Sequence, residues 1–199
     1  MNPYPAPKAG PGHAHGFTLI ELMVTVVILA VLMAIAIPNL RGVIMSNKLS
    51  SQSKELLAAL QYARSESIRR NVRVTFCQSA NGTSCSTNAA WTGWLVFADS
   101  NRNNTADADE AIRTGTLVDP TQLVESSNIS SDRFNFYPDG LARKGVSGSE
   151  LLNAKLRVCV KGTDSLIKPN SRDLNIVSGS RMSIETGQDV NCAAPGNPT

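Results

Sequence analysis

Few residues in this chain have the type and spacing to do chemistry. Its two histidines, His13 and His15, both stand in the first sixteen residues. If that stretch is removed, no histidine remains, which excludes Ser-His and Cys-His nucleophiles and His-ligated metals. Ser51-Gln52-Ser53-Lys54 has the S-x-x-K spacing, but no partner motif such as S-D-N or K-T-G stands with it, so serine–lysine chemistry is not supported. The cysteines Cys77, Cys85, Cys159 and Cys192 show no C-x-x-C spacing, so zinc is a poor reading. The sharpest ligand pattern is the Asp/Asn run from Asp99. Oxygen ligands fall at loop positions 1, 3, 5, 9 and 12, as in a calcium loop, and with Thr105 at position 7 this makes Asp99, Asn101, Asn103, Thr105, Asp107 and Glu110 a candidate calcium set. Position 6 carries Asn104 in place of glycine, and asparagine tolerates a left-handed backbone. The same run also reads as a solvated Asp/Asn turn between strands, since no flanking helices are expected.

A different kind of site lies near the N-terminus. From Phe17 to Ile37 the chain reads FTLIELMVTVVILAVLMAIAI, apolar except for two threonines and one carboxylate, Glu21. Twenty-one helical residues at about 1.5 Å each span roughly 30 Å, the thickness of a bilayer core. Ala34-Ile35-Ala36 offers a secretory cleavage pattern, but the run exceeds the usual apolar length of such signals. A plain single-pass anchor explains the length but leaves Glu21 without a purpose. A lone intramembrane carboxylate costs about 2.5–3.5 kcal/mol and calls for a partner or for snorkelling to the interface.

The elements that must carry these residues follow from periodicity. Pro38 removes a helical donor and Gly42 lies one turn on, so a bend or locally melted turn is expected at 38–42 rather than a helix end. A helical stripe of Leu49, Leu56, Leu60, Ala63 and Ser67, widened by Leu57 and Ile68, then runs to about Arg70. After Asn71 the pattern turns to short strands. These are residues 72–77, 93–97, 111–114, 133–137, 155–160, 174–177 and 181–184, with Pro138-Asp139-Gly140 as a turn and Ser178-Gly179-Ser180 as a hairpin loop. The expected fold is α+β: a long N-terminal helix, half membrane-competent and half amphipathic, packed on antiparallel β-sheet. The domains are a leader at 1–16, the helix at 17–71 with its transmembrane part at 17–37, and a β-rich head at 72–199.

Gly16-Phe17-Thr18-Leu19-Ile20-Glu21, followed by an unbroken apolar helix, resembles the processing motif of type IV prepilins and pseudopilins. The resemblance implies cleavage between Gly16 and Phe17 by a prepilin peptidase, N-methylation of Phe17, an assembly role for Glu21, and Pro38 as the family's helix-bending proline. Physical chemistry supports the same parts. Cleavage exposes an α-amino group four residues from a carboxylate, and in a dry helical bundle such a pair sets axial register. One rule disagrees: Lys8 alone precedes the apolar run, whereas Arg41, Lys48 and Lys54 follow it, which favours the opposite orientation on a bare charge count.

The body, with ARSESIRRNVRV, then WTGWLVFADSNRN, then a late cysteine and a hairpin ending in Arg181, is similar to the GspH/FimT/FimU group of minor pilins and minor pseudopilins. That implies a non-enzymatic subunit. It would be anchored in a bacterial inner membrane with its head in the periplasm, and then placed at the tip of a type IV pilus where it helps start assembly. A minor pseudopilin of a type II secretion system is the alternative. Implied partners are other minor pilins or pseudopilins, the major subunit and the prepilin peptidase. The periplasm is oxidising, and four cysteines allow three pairings. Local closure around the expected strands favours Cys77–Cys85 and Cys159–Cys192. FimT-like members bind DNA through a basic Gly-Arg-x-Arg motif. Here Gly179-Ser180-Arg181-Met182 keeps one arginine, so the DNA candidate is Arg181 with Lys168 and Arg172 upstream. Net charge is +3, too weak by itself to imply nucleic acid.

Overall fold

The computed structural model describes residues 16–87, 91–117, 122–127, 129, 132–145, 147–161 and 168–198, without the side chains of residues 38, 39, 41, 122, 123 and 125. The chain divides into two compact units, one ending at Leu40 and the other running over Arg41–Thr199. One helix, α1 (Leu19–Arg70), contributes to both, and its helical assignment continues through 38–42 without a melted turn. In the first unit every described side chain from Phe17 to Leu40 is exposed. The most apolar stretch has mean hydropathy 2.8, long and apolar enough to cross a membrane by length and composition.

The second unit is antiparallel throughout. Strands β1 (Arg73–Gln78), β2 (Gly93–Asp99), β3 (Ala111–Thr116), β5 (Arg133–Phe136) and β6 (Ala142–Arg143) form a sheet ordered β3-β2-β1-β5-β6. Strands β4 (Gln122–Ser126), β7 (Ala154–Val160), β8 (Ser171–Val177) and β9 (Arg181–Gly187) form a second sheet ordered β4-β7-β8-β9. The helix stripe closes both. Leu49, Leu56, Leu60 and Ala63 share one core with Phe76, Trp94 and Phe134 of the first sheet and Leu156, Leu174 and Ile176 of the second. Ala59 joins this face, whereas Ile68 stays exposed and lies beside Gly140. All of β2 is buried because its far face is covered as well: Leu95 and Phe97 pack with the Cys77–Cys85 disulfide and Ala106.

Seven strands coincide with the periodicity reading; β4 and β6 do not appear in it. Strand β6 is two residues long, and β4 carries only two apolar residues, so both owe their conformation to a neighbour. Residues of β4 pair with β7 from Gln122↔Val160 to Ser126↔Leu156, and β6 pairs with β5 through Asn135↔Arg143 and Phe136↔Ala142.

The two sheets are joined by a small backbone node. Gly179, in the loop between β8 and β9, donates its N–H to the Leu152 carbonyl (2.9 Å) and accepts the Ala142 N–H (2.7 Å), while Leu152 donates to Ala142 (2.9 Å). Gly179 holds φ +68°, and a Cβ there would stand 2.3 Å from the Ala142 oxygen, so only glycine fits. Arg64 of α1 donates to the Ser180 carbonyl (3.0 Å) and ties the helix to the same loop.

Candidate functional site

Gly16 and Phe17 are exposed and precede α1. Thr18 caps the helix, its Oγ1 accepting the Glu21 N–H at 3.3 Å. Glu21 is thus the third helical residue of a T-x-x-E capping pattern, in the first turn where the helix dipole favours negative charge. The signal for this local role is the spacing Thr18-Leu19-Ile20-Glu21, which the processing motif overshadows in the sequence. Pro38 lies inside α1, and its side chain is outside the described residues. Sixteen large apolar side chains between Phe17 and Leu40 are exposed in the isolated chain, a surface that demands lipid or neighbouring helices.

The head is braced by two disulfides. Cys77–Cys85 closes the turn after β1, and Cys159–Cys192 ties β7 to the C-terminal segment. Around the second, Asn170 Nδ2 donates to the Asp189 carbonyl at 2.7 Å and Asn170 Oδ1 accepts the Asp189 N–H at 2.8 Å. Arg157 donates to Asp173 (2.7 and 2.8 Å) and to Asp189 (2.6 Å), so the outward face of β7 and β8 is held by ion pairs.

The structure organises the 99–110 loop around arginine. Asp99, buried at the end of β2, pairs with the Arg73 guanidinium and accepts the Asn104 N–H at 3.1 Å. Arg73 also donates to Asn104 Oδ1, and Arg133 donates to the Asn104 carbonyl. Asn104 takes φ +64°, the left-handed conformation expected of it. Asn101 and Asn103 each accept the backbone N–H two residues on, at 3.0 and 2.8 Å. Both also donate to Asp107 Oδ2, at 2.7 and 2.9 Å. Thr105 is exposed. Glu110 accepts the Ser100 N–H at 2.7 Å. Among the described residues, no three His, Cys, Asp or Glu side chains are gathered as a metal cage. A calcium ion at this loop would compete with Arg73 for Asp99 and Asn104.

The three basic residues of the DNA candidate are not brought together. Arg172 is 7 % exposed, and its Nη2 donates to Ser46 Oγ of α1 at 3.2 Å. Its Nη1 donates to the carbonyls of Ser171 (2.9 Å) and Pro169 (3.4 Å). Burial pushes the guanidinium below its ordinary pKa. Lys168 is exposed nearby in the chain. Arg181 sits across from Val177, while Arg172 sits across from Thr186, so the two arginines are five rungs apart on the β8–β9 ladder, roughly 17 Å at 3.3 Å per residue. Sequence reasoning also missed Glu66, buried near the end of α1. It accepts from Arg69 (2.9 and 2.6 Å) and Arg70 (2.6 Å), and those hydrogen bonds lower its pKa to about 2. Its sequence signal was the i, i+3 and i, i+4 spacing to two arginines.

Comparison with known proteins points the same way. A family model described as Type II transport protein GspH matches residues 52–179, and one described as the prokaryotic N-terminal methylation motif matches residues 12–37. A crystal structure of the type IV minor pilin FimU of Pseudomonas aeruginosa (strain PAO1) aligns with a TM-score of 0.51 at 20 % identity, covering 73 % of this chain and 96 % of that one. A second crystal form of FimU gives a TM-score of 0.48 at 19 % identity, covering 71 % and 99 %. At such identities the FimU likeness is one of fold. No curated protein matches. With a methylation motif opening the helix and the family model spanning most of the head, the chain belongs to the GspH family of minor pilins and pseudopilins, structural subunits rather than enzymes.

Proposed function

We propose that this chain is a minor pilin of a type IV pilus, placed at the filament tip and helping to initiate assembly. A prepilin peptidase removes residues 1–16 at the Gly16–Phe17 junction, and Phe17 is N-methylated. The mature chain waits in the bacterial inner membrane with its head in the periplasm, and then enters the filament beside other minor pilins and the major subunit.

The observation that carries this reading is the join between a methylation motif and a helix whose large apolar side chains are exposed from Phe17 to Leu40. At about 1.5 kcal/mol or more per large apolar side chain, covering sixteen of them is worth upward of ~20 kcal/mol. Lipid supplies that cover first and sister helices supply it later. Glu21 reads as the register device, its carboxylate pairing with the new α-amino group of its own chain or of a neighbour. A second reading, a minor pseudopilin of a type II secretion system, is favoured by the description of the family that residues 52–179 match.

Intact mass with and without co-expressed prepilin peptidase tests the first step. Loss of residues 1–16 with gain of one methyl group is expected, and an unchanged mass rejects the processing claim. Glu21→Leu is expected to process normally yet fail to enter filaments. In the native host, deletion that abolishes surface pili and leaves exoprotein secretion intact selects the pilus reading; the reverse selects the pseudopilin.

A further inference from the structure

We infer that the turn closed by Cys77–Cys85 is a self-modification site: the backbone nitrogen of Gly82 attacks the side-chain amide carbon of Asn81, ammonia leaves, and water opens the resulting cyclic imide to a carboxylate. The reaction uses groups of this one turn and proceeds in whichever filament the chain enters.

Asn81-Gly82 is the one Asn-Gly step in the sequence. Glycine has no Cβ to keep its nitrogen away from the preceding side chain, and here it also supplies a left-handed φ of +72°. The turn follows β1 and is held at both ends. The disulfide joins Cys77 to Cys85, the Ser86 N–H donates to the Gln78 carbonyl at 2.8 Å, and the Ala80 N–H donates to Ser86 Oγ at 3.2 Å. The reacting groups therefore need not be collected from a flexible chain, which removes part of the entropic barrier.

Each atom that changes charge in the reaction already has a partner. Asn81 Oδ1 gains negative charge as Cγ becomes tetrahedral, and it accepts the N–H groups of Thr83 and Ser84, both at 2.9 Å. Two backbone donors aimed at a carbonyl oxygen stabilise the oxyanion that forms on it. Gly82 N must lose a proton to attack, and its N–H donates to Ser79 Oγ at 2.9 Å. Ser79 is buried and gives its own hydroxyl proton to the Ser84 carbonyl at 2.6 Å, so a lone pair of Oγ faces Gly82. The leaving Nδ2 donates to Ser84 Oγ at 2.9 Å. Asn81 and Ser84 are exposed, so water reaches them.

The atoms balance with water as the sole co-reactant. A bond forms between Asn81 Cγ and Gly82 N, and the Gly82 proton passes by way of Ser79 Oγ to water. The Cγ–Nδ2 bond breaks as Nδ2 takes a proton from water and departs as ammonia. Addition of water to the imide then gives aspartate at position 81 if Cγ is attacked, or isoaspartate if the main-chain carbonyl carbon is attacked. The aspartate product can keep both backbone N–H bonds, which are stronger to a charged acceptor. Asn103 provides an internal comparison. It is exposed and its Oδ1 also accepts a backbone N–H, that of Thr105, but the nitrogen that follows it belongs to Asn104 and donates to the Asp99 carboxylate.

The test incubates the full chain in detergent at neutral pH, either with its disulfides intact or reduced, alkylated and unfolded in urea. Peptide mass spectrometry follows residues 81 and 103, reading the amide-to-acid mass gain and isoaspartate-specific fragments. Residue 81 is expected to convert about ten-fold faster in the folded chain than in the unfolded one, less than the roughly 10²–10³ of an enclosed oxyanion site because this turn is exposed. Residue 103 is expected to lag behind residue 81 in the folded chain by at least that factor. Ser79→Ala, checked for the Cys77–Cys85 disulfide, should bring the folded rate down to the unfolded one and leave the unfolded rate unchanged. Gly82→Ala should slow conversion in the unfolded chain as well, where no folded turn is at stake. Equal rates in the two states, or a faster rate in the unfolded chain, overturn the inference. So does a folded rate that Ser79→Ala leaves unchanged, or an undiminished rate in Gly82→Ala.

Discussion

Replacing Gly179 by alanine should damage the head far more than its place in a hairpin loop suggests. The new Cβ would stand 2.3 Å from the Ala142 carbonyl oxygen and 3.2 Å from the Ala142 nitrogen, and the obstacle is backbone that no rotamer change can clear. The left-handed φ of +68° costs a non-glycine residue about 1–2 kcal/mol. Relieving the clash must also separate the loop from β6, breaking Ala142 N–H to Gly179 and Gly179 N–H to Leu152. Each broken bond costs about 1–3 kcal/mol through the buried groups it leaves without partners, so the total is about 3–8 kcal/mol. That is a large share of the 5–15 kcal/mol that typically separates folded from unfolded domains. Gly145 is the control: it has φ +63° with nothing within 4 Å of an added methyl group, so Gly145→Ala should cost only about 1–2 kcal/mol. Thermal unfolding of both variants in detergent, followed by the near-ultraviolet signal of the buried Trp91 and Trp94, measures the contrast. If the two variants unfold within about 1 kcal/mol of each other, the node does not hold the sheets together.

Three further outcomes are expected. Glu66 has a folded pKa of about 2 against an ordinary 4.5, so its contribution is present above pH 4.5 and lost as pH falls towards 2; because Arg69 and Arg70 are largely exposed, it amounts to about 1 kcal/mol. Urea titrations across that window should show a loss in the native chain that is smaller by about 1 kcal/mol in Glu66→Gln. The disulfides close loops of sequence separation 8 and 33, for which chain entropy gives about 2.5 and 3.7 kcal/mol, so Cys159→Ser/Cys192→Ser should destabilise more than Cys77→Ser/Cys85→Ser in unfolding measurements. Asp99→Asn strips Arg73 of its carboxylate in a buried setting and should cost about 3–5 kcal/mol in the same assay, with faster amide exchange across the 99–110 loop.

Much of the fold was legible because the periodicities are strong. The stripe from Leu49 to Ser67 and the alternation of 155–158 state which faces are buried, and the buried sets follow them, whereas 74–77 are buried on both faces because the disulfide side of the first sheet is covered as well. What stayed hidden depended on partners far along the chain. Residues 122–126 carry little β signal of their own, and they become a strand because β7 offers an unpaired edge. Ile68 fits the helical stripe by spacing yet remains exposed, because the sheet core closes on Ala63 and Ser67 while Ile68 lies beside the turn at Gly140. Gly179 stands out in the sequence only as a neighbour of Arg181, whereas in the fold it serves the joint between sheets.

Sequence alone determined the chemistry of the N-terminal end. The Gly16–Glu21 motif and a bilayer's length of apolar helix are set by local spacing and composition, which need no folded head to be read. The tertiary structure alone decided the fate of the charged side chains. Whether Asp99 faces an ion or Arg73, and whether Arg172 reaches solvent or Ser46, depends on which strands come together. Electrostatic partners are set by distances of a few ångströms between residues dozens of positions apart, and no pattern along the chain encodes those.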